Sequence, residues 1–186
     1  MSKRILFLAL GVCFLLNLSS QENIRMTSYF DNTDNKAYYL VWNTKTGKSV
    51  QYYWNSGKTK WDSFEINLPE NPLKGATGSI MMDVYYAVND QKAYYLVWDT
   101  QTGRSVQYYW NTAKTRWESF EINLPEKPLA GATGEIGMKM YYDTHDGKAY
   151  YIVWDLNTGR SIQYYWNTAK TRWDSFEINL PETPLK

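Results

Sequence analysis

Three sets of ring and polar side chains recur along the chain, and their types suit the binding of a sugar. The middle set is Tyr95, Gln107, Tyr109, Trp117, Ser119 and Glu121, and it recurs as Tyr39, Gln51, Tyr53, Trp61, Ser63 and Glu65, and as Tyr151, Gln163, Tyr165, Trp173, Ser175 and Glu177. A sugar presents C–H groups on one side and hydroxyls around its rim, so its site needs a flat ring beside amide or carboxylate groups. Three weak copies gain avidity toward a glycan surface, and the pattern therefore predicts a multivalent carbohydrate-binding module.

Catalytic chemistry is poorly supplied by the same sequence. The chain has one histidine, His145, so neither a nucleophilic triad nor a histidine metal site can recur in each set. Strand alternation puts Glu118 and Glu121 on opposite faces, which separates the nearest pair of carboxylates. We expect no enzymatic activity and no cofactor.

Two acidic turns are faintly similar to calcium-binding loops. They are Asp31-Asn32-Thr33-Asp34-Asn35 and Asp143-Thr144-His145-Asp146-Gly147, and the corresponding middle turn is Ala87-Val88-Asn89-Asp90-Gln91. Since no glutamate follows at the spacing that a calcium loop requires, we interpret all three as ordinary hairpin turns and predict no metal site.

The amino terminus has the composition of an export signal. Residues 1–20 comprise a basic start at Lys3 and Arg4, an apolar run and small residues at Ser19-Ser20, and they include the one cysteine, Cys13. We predict cleavage near Ser20 and secretion, or release into a periplasm. The mature chain would carry 18 basic and 19 acidic residues, without a basic block and without a second apolar span. This balance argues against nucleic acid as a partner and against a membrane span.

A period of 56 residues organises the rest of the chain. Nine tryptophans follow it, in the sets Trp42/Trp54/Trp61, Trp98/Trp110/Trp117 and Trp154/Trp166/Trp173. Such a period marks a repeat architecture, and we divide the composite domain 21–186 into units 24–79, 80–135 and 136–186. β-Branched and aromatic residues alternate between turn clusters in each unit, which predicts an all-β fold of three tandem four-stranded antiparallel meanders.

The middle unit illustrates the expected strands and their pairing. They are Ile80–Tyr86, Lys92–Asp99, Arg104–Trp110 and Trp117–Leu124. If the turn at Gly103 pairs Thr100 with Arg104, then Trp98 faces Val106 and Leu96 faces Tyr108. This register predicts one apolar face, which includes Trp110 and its repeats, and one mixed face that carries the whole ring-and-polar set.

Such thin sheets must stack to be stable, and two kinds of closure fit. Propeller-blade-like packing agrees with the length, strand count and tight hairpins of each unit. Because three blades do not close a ring, this packing predicts association, most simply a homodimer that completes six blades. A β-trefoil or β-prism is the alternative, since it closes with three units in one chain.

A limited resemblance supports the blade interpretation. The run Val106-Gln107-Tyr108-Tyr109-Trp110-Asn111, a short turn and then Arg116-Trp117-Glu118-Ser119-Phe120 is similar to a blade of the fucose-binding propeller lectins over about 30 residues of each unit. The resemblance implies that sugar is held between adjacent blades, that oligomers complete the ring, and that Trp61, Trp117 and Trp173 are the stacking rings. Leu96 or Val97 stands where that family has a sugar-binding arginine, and Gln107 or Tyr108 stands in the region of its glutamate.

A second function class stays open from the sequence. Rings between stacked sheets also fill space, as we expect for Trp42, Trp54 and their repeats. The alternative to a lectin-like module is therefore a structural or adhesive repeat protein without a small-molecule ligand.

Overall fold

The computed structural model is all-β and describes residues 23–31, 34–66, 68, 73–88, 90–122, 124, 129 and 131–178. Of Phe64, Glu65, Ile66, Phe120, Glu121 and Glu177 it describes the backbone alone. The predicted export signal, residues 1–20, lies outside these ranges. No helix within them is long and apolar enough to cross a membrane.

Three four-stranded antiparallel sheets follow one another along the chain, and each has its strands in sequence order. The first contains β1 (Ile24–Asp31), β2 (Lys36–Asn43), β3 (Ser49–Asn55) and β4 (Lys60–Ile66); the second contains β5 (Ile80–Ala87), β6 (Lys92–Asp99), β7 (Ser105–Asn111) and β8 (Arg116–Ile122); the third contains β9 (Ile136–Asp143), β10 (Lys148–Asp155), β11 (Ser161–Asn167) and β12 (Arg172–Ile178). The prediction of three tandem meanders is confirmed, and the predicted strands of the middle unit end within two residues of the observed ones.

The second sheet packs on both of its faces. Its front face, which carries Met82, Val97 and Tyr95, packs against Leu40 and Trp42 of the first sheet. Its back face carries Leu96 and Trp98, which pack against Met138 and Val153 of the third sheet. The sheets approach each other most closely along their first strands, β1, β5 and β9. The described residues therefore form two cores, a first core between the first and second sheets and a second core between the second and third sheets. A β-trefoil or β-prism would instead enclose one shared core.

The predicted register of the central hairpin is wrong by one residue. Trp98 pairs with Ser105 and Leu96 with Gln107, so Asp99 rather than Thr100 closes the loop opposite Arg104. The reason is a four-residue loop, in which the Gly103 amide donates to the Asp99 carbonyl at 2.9 Å and the Asp99 carboxylate accepts the Gln101 amide at 2.8 Å. A slip of one residue exchanges the faces of a strand. Val106, Tyr108 and Trp110 therefore lie on the front face and Gln107 and Tyr109 on the back face.

A buried carboxylate connects the three first strands. Asp83 accepts hydrogen bonds from the Lys139 ammonium at 3.0 Å, from the Met140 amide at 3.2 Å and from the Thr27 hydroxyl at 3.4 Å. Thr27, Asp83 and Lys139 occupy the same position in successive units. The polar contacts therefore fix the alignment of the units along β1, β5 and β9, because a buried charge is tolerated only where it is paired and hydrogen-bonded.

Gly78 lies where the connector between the first two units crosses the β6–β7 hairpin, and the contact leaves no room for a side chain. A Cβ atom there would stand 2.6 Å from Asp99 Oδ1 and 2.7 Å from the Gln101 amide nitrogen. We expect Gly78→Ala to lower the free energy of unfolding by about 2 kcal/mol, as other overpacked sites do. Chemical denaturation measures the change. Gly57→Ala is the matched control, because its nearest neighbour would be Asn55 Oδ1 at 3.4 Å; equal effects at the two glycines would contradict the prediction.

Candidate functional site

A cleft of about 750 Å³ opens between the second and third sheets. The back face and the β5–β6 turn of the second unit supply Tyr85, Asp90, Lys92, Tyr94, Gln107 and Tyr109. In the first and third sheets we call front and back the faces that carry the residues equivalent to those of the second sheet. The front face and the turns of the third unit supply Tyr142, Gly147, Lys148, Ala149, Tyr151, Trp166, Thr168 and Trp173. Two successive units therefore build one site from opposite faces of the same repeated sheet.

Gln107 stands at the inner end of the cleft and is 3 % exposed. Its Oε1 accepts a hydrogen bond from the Tyr151 hydroxyl across the cleft at 2.8 Å. Its Nε2 donates to no residue that the structure describes. In the other two units the same amide group is paired, since Gln51 donates to the Tyr29 hydroxyl at 3.1 Å and Gln163 to the Tyr141 hydroxyl at 3.0 Å.

Tyr85 occupies the position of Tyr29 and Tyr141, and its hydroxyl forms no hydrogen bond with the described residues. In the first unit the ring of Tyr29 is stacked at 6.2 Å on Tyr86 of the second. Burial, with the nearby Tyr151 and Asp90, raises the pKa of Tyr85 well above its usual value, so the hydroxyl stays protonated and can donate. Gln107 Nε2 and the Tyr85 hydroxyl thus line the cleft without a hydrogen-bond partner among the described residues.

A third donor comes from Lys92 at the mouth of the cleft. Its ammonium lies 5.4 Å from the centroid of the Tyr109 ring. The equivalent Lys36 and Lys148 pair with Asp34 at 2.9 Å and with Asp146 at 3.2 Å, whereas Lys92 has no ion pair among the residues described. A ligand that offers oxygen acceptors would satisfy all three donors.

Aromatic rings form much of the two walls. On one wall, Trp173 meets Tyr151 edge-on at 5.4 Å and Trp166 edge-on at 5.5 Å. On the other, Tyr94 is stacked with Tyr85 at 5.3 Å and tilted against Tyr109 at 5.7 Å. Trp166 is exposed and Trp173 is half-buried, so both rings present surface to the cleft while they remain fixed by their neighbours.

Hydrogen bonds around Glu118 fix the edge of the wall that the second sheet forms. Glu118 accepts from the Asn111 amide at 2.9 Å, from the Tyr109 hydroxyl and from Lys114. The bonds from Lys114, Tyr109 and Asn111 lower the pKa of Glu118 to about 2. At neutral pH this carboxylate is therefore a fixed negative acceptor, and it holds the Tyr109 hydroxyl in a hydrogen bond.

The predicted ring-and-polar set does not lie on one face. Gln107 and Tyr109 lie on the back face of the second sheet, whereas Tyr95, Trp117 and Ser119 lie on its front face. The side chains of Glu65, Glu121 and Glu177 lie outside the described part of the chain.

The stacking of units nevertheless brings parts of different sets together. Gln107 and Tyr109 meet Trp173 of the next unit, and Gln51 and Tyr53 face the side of the second sheet that carries Trp117, where the Tyr95 hydroxyl donates to Gln51 at 2.9 Å. Trp61 lies on a face of the first sheet, and Gln163 and Tyr165 on a face of the third, that no other unit covers among the described residues.

Several cleft residues were not predicted from the sequence. The sequence predicts only strand and turn positions for Tyr85, Tyr94, Lys92 and Asp90, and it predicts an apolar face for Trp166. A signal for part of this group is the repeated pattern Asp34-x-Lys36-x-Tyr38, in which the tyrosine hydroxyl donates back to the turn aspartate, as Tyr94 does to Asp90 at 2.7 Å. In the second unit this pattern supplies Asp90, Lys92 and Tyr94 to the cleft.

Comparison with protein-family models and with curated proteins finds no match to this chain. Among the residues described, no three His, Cys, Asp or Glu side chains gather closely enough to bind a metal ion. The groups that line the cleft are rings, an amide, hydroxyls and ammonium groups, and these suit the recognition of a ligand with both apolar and oxygen-rich surfaces.

Proposed function

We propose that the protein is an exported, multivalent carbohydrate-binding module whose units stack as propeller blades and bind sugar between them. The observation that carries this proposal is the pair of unpartnered groups, Gln107 Nε2 and the Tyr85 hydroxyl, in a cleft walled by Trp166 and Trp173. Sugar hydroxyls supply the missing acceptors, and the C–H face of a pyranose stacks on an indole ring.

The charges around the cleft support binding rather than catalysis. A general acid needs a carboxyl group whose pKa is raised toward neutrality. Glu118 lies beside Tyr109 on the cleft-facing side of the second sheet, and hydrogen bonds from Lys114, Tyr109 and Asn111 instead lower its pKa. This carboxylate serves as a constant acceptor that fixes the Tyr109 hydroxyl and the Lys114 ammonium beside the cleft.

A glycan array followed by calorimetric titration of a retained glycan tests the proposal. We expect Tyr85→Phe to weaken binding by about three- to tenfold, the value of one hydrogen bond, without a lower melting temperature, because the hydroxyl has no described protein partner. Tyr29→Phe is the matched control: it removes the equivalent hydroxyl, which accepts from Gln51, and should leave the affinity of this cleft unchanged.

Trp166→Ala tests the stacking wall in the same titration. We expect about a tenfold loss of affinity, because an exposed ring that stacks on a sugar contributes binding without supporting the core. If the array retains no glycan, or if a retained glycan binds both variants as tightly as the unmodified protein, the proposal is wrong.

The structural or adhesive alternative is favoured by a different observation. Both ends of the stack expose large apolar side chains, including Met26, Trp61 and Phe176. Soluble monomers seldom leave such surfaces open, so self-association is a second candidate role that does not depend on a sugar.

A further inference from the structure

The front face of the first sheet carries the residue types that form contacts between units, but no described residues of another unit pack against it. Ile24 and Met26 occupy the positions of Ile80 and Met82, which are buried in the first core. Met26 is 64 % exposed, and Trp61 on the same face is also exposed, whereas its equivalent Trp117 is half-buried against that core. The same residue types that join the second sheet to the first are thus left facing solvent.

The back face of the third sheet is the complementary surface. Ile152 and Trp154 occupy the positions of Leu96 and Trp98, which are buried in the second core. In the third sheet Ile152 and Trp154 are half-buried, and Phe176 on this face is 48 % exposed. The back faces of the first and second sheets are the surfaces that pack against the following unit, and this surface is their equivalent in the third sheet.

Hydrogen-bonding groups at this end repeat the same arrangement. The indole N–H of Trp42 donates to the Ile80 carbonyl at 3.1 Å, and that of Trp98 to the Ile136 carbonyl at 3.0 Å. The indole of Trp154 has no acceptor among the described residues. Ile24 is the equivalent of Ile80 and Ile136. If a further unit packed against the third sheet, the carbonyl equivalent to that of Ile24 would therefore be the acceptor for Trp154.

A backbone bond completes each internal junction. The Ile80 amide donates to the Thr44 carbonyl at 2.7 Å, and the Ile136 amide donates to the Thr100 carbonyl at 2.7 Å. Leu156 stands at the position of Thr44 and Thr100, and its side chain is exposed where those two are buried. The third unit therefore has the side chains that pack against a following unit, and the Leu156 carbonyl lies where the equivalent carbonyls accept the amide of that unit.

We propose that copies of this chain associate head to tail, with the back face of the third sheet of one copy covering the front face of the first sheet of a second copy. The contact continues the two internal junctions with the same residue types, and a second copy is the occupant whose surface matches them. Such a contact is heterologous, and two copies are the simplest closed form. Each new junction would also place Gln163 and Tyr165 opposite Trp54 and Trp61, so that an amide and a tyrosine face two indole rings as Gln107 and Tyr109 face Trp166 and Trp173.

Sedimentation of the full mature chain over a wide concentration range tests the association independently of any sugar. We expect twice the mass of one chain. Met26→Glu and Phe176→Glu should each give single chains with unchanged circular dichroism, because both side chains are exposed and a glutamate in the junction would be buried without a partner. Val88→Glu is the matched control, since Val88 is an exposed apolar residue in the β5–β6 turn, and it should keep the doubled mass.

Mixing the two variants distinguishes head-to-tail contact from front-to-front and back-to-back contact. The Met26→Glu chain keeps an intact back face and the Phe176→Glu chain an intact front face, so an equimolar mixture should form one-to-one complexes that neither variant forms alone. A front-to-front contact would leave Phe176→Glu associated by itself. The proposal is overturned if the unmodified chain stays single, if either variant alone keeps the doubled mass, or if the mixture contains single chains alone.

Discussion

Replacement of Trp98 by alanine is expected to lower the free energy of unfolding by about 3–5 kcal/mol, the cost of truncating a buried aromatic ring. Trp98 is 4 % exposed and packs in the second core with Leu96 and Met138. Its indole N–H also donates to the Ile136 carbonyl at 3.0 Å, so the change removes both a ring and a polar link between the second and third units.

Trp110→Ala is the matched control for this effect. Trp110 belongs to the same unit and is 42 % exposed, with an edge-on contact to Trp117 at 5.6 Å. We expect a loss of about 1 kcal/mol, the usual value of one aromatic pair. Denaturant unfolding of the two variants measures the difference. Similar losses at both positions would contradict the packing of the second sheet against the third.

These two tryptophans also mark where the sequence was informative and where it was not. The period of 56 residues, the strand content and the hairpin positions all follow from local alternation and turn residues, and each agrees with the structure. The sequence placed Trp98 and Trp110 on one apolar face, whereas they lie on opposite faces of the second sheet. Alternation within a strand was correct, and the error arose at the turn that sets one strand against the next.

Asp99 is the residue that indicates the length of the β6–β7 loop. An aspartate at the end of a strand readily accepts the amide two residues on, which lengthens the loop and moves the pairing by one residue. Asn43 does the same in the first unit, accepting the Lys45 amide at 2.9 Å and the Thr46 amide at 3.1 Å. This pattern places Gln107 and Tyr109 on the face opposite Tyr95.

The composite nature of the cleft could not be predicted from one unit. Gln107 meets Trp173 because the back face of one sheet packs on the front face of the next, and that choice depends on stacking rather than on local pattern. The sequence gives no sign that Gln107 Nε2 lacks a partner, since Gln51 and Gln163 have the same tyrosine at the same spacing and donate to it. Identical residues differ here through their tertiary surroundings alone.

Asp99→Ala is the second change with a large expected effect. The Asp99 carboxylate is 1 % exposed and accepts the backbone amides of Thr77 at 2.8 Å, Gly78 at 2.9 Å and Gln101 at 2.8 Å. It thereby ties the connector before β5 to the β6–β7 hairpin. Alanine would leave these amides without an acceptor, and we expect the free energy of unfolding to fall by about 3 kcal/mol. Asp99→Asn, which keeps one acceptor oxygen, should lose about half as much.

Low pH should reduce the extra stability, measured as free energy of unfolding, that Asp99 gives relative to asparagine at this position. Burial alone raises the pKa of Asp99, but hydrogen bonds from the Thr77, Gln101 and Gly78 amides outweigh it and lower the pKa below its usual value. Because the pKa is lower in the folded state, the stabilisation is complete above the unfolded value of about 3.9 and is lost as the pH falls through the folded value. The difference in unfolding free energy between the unmodified protein and Asp99→Asn should therefore narrow as the pH is lowered from neutrality into this range. A difference that stays constant with pH would show that the charge of Asp99 does not hold the connector, and that the amide of asparagine is the weaker partner for another reason.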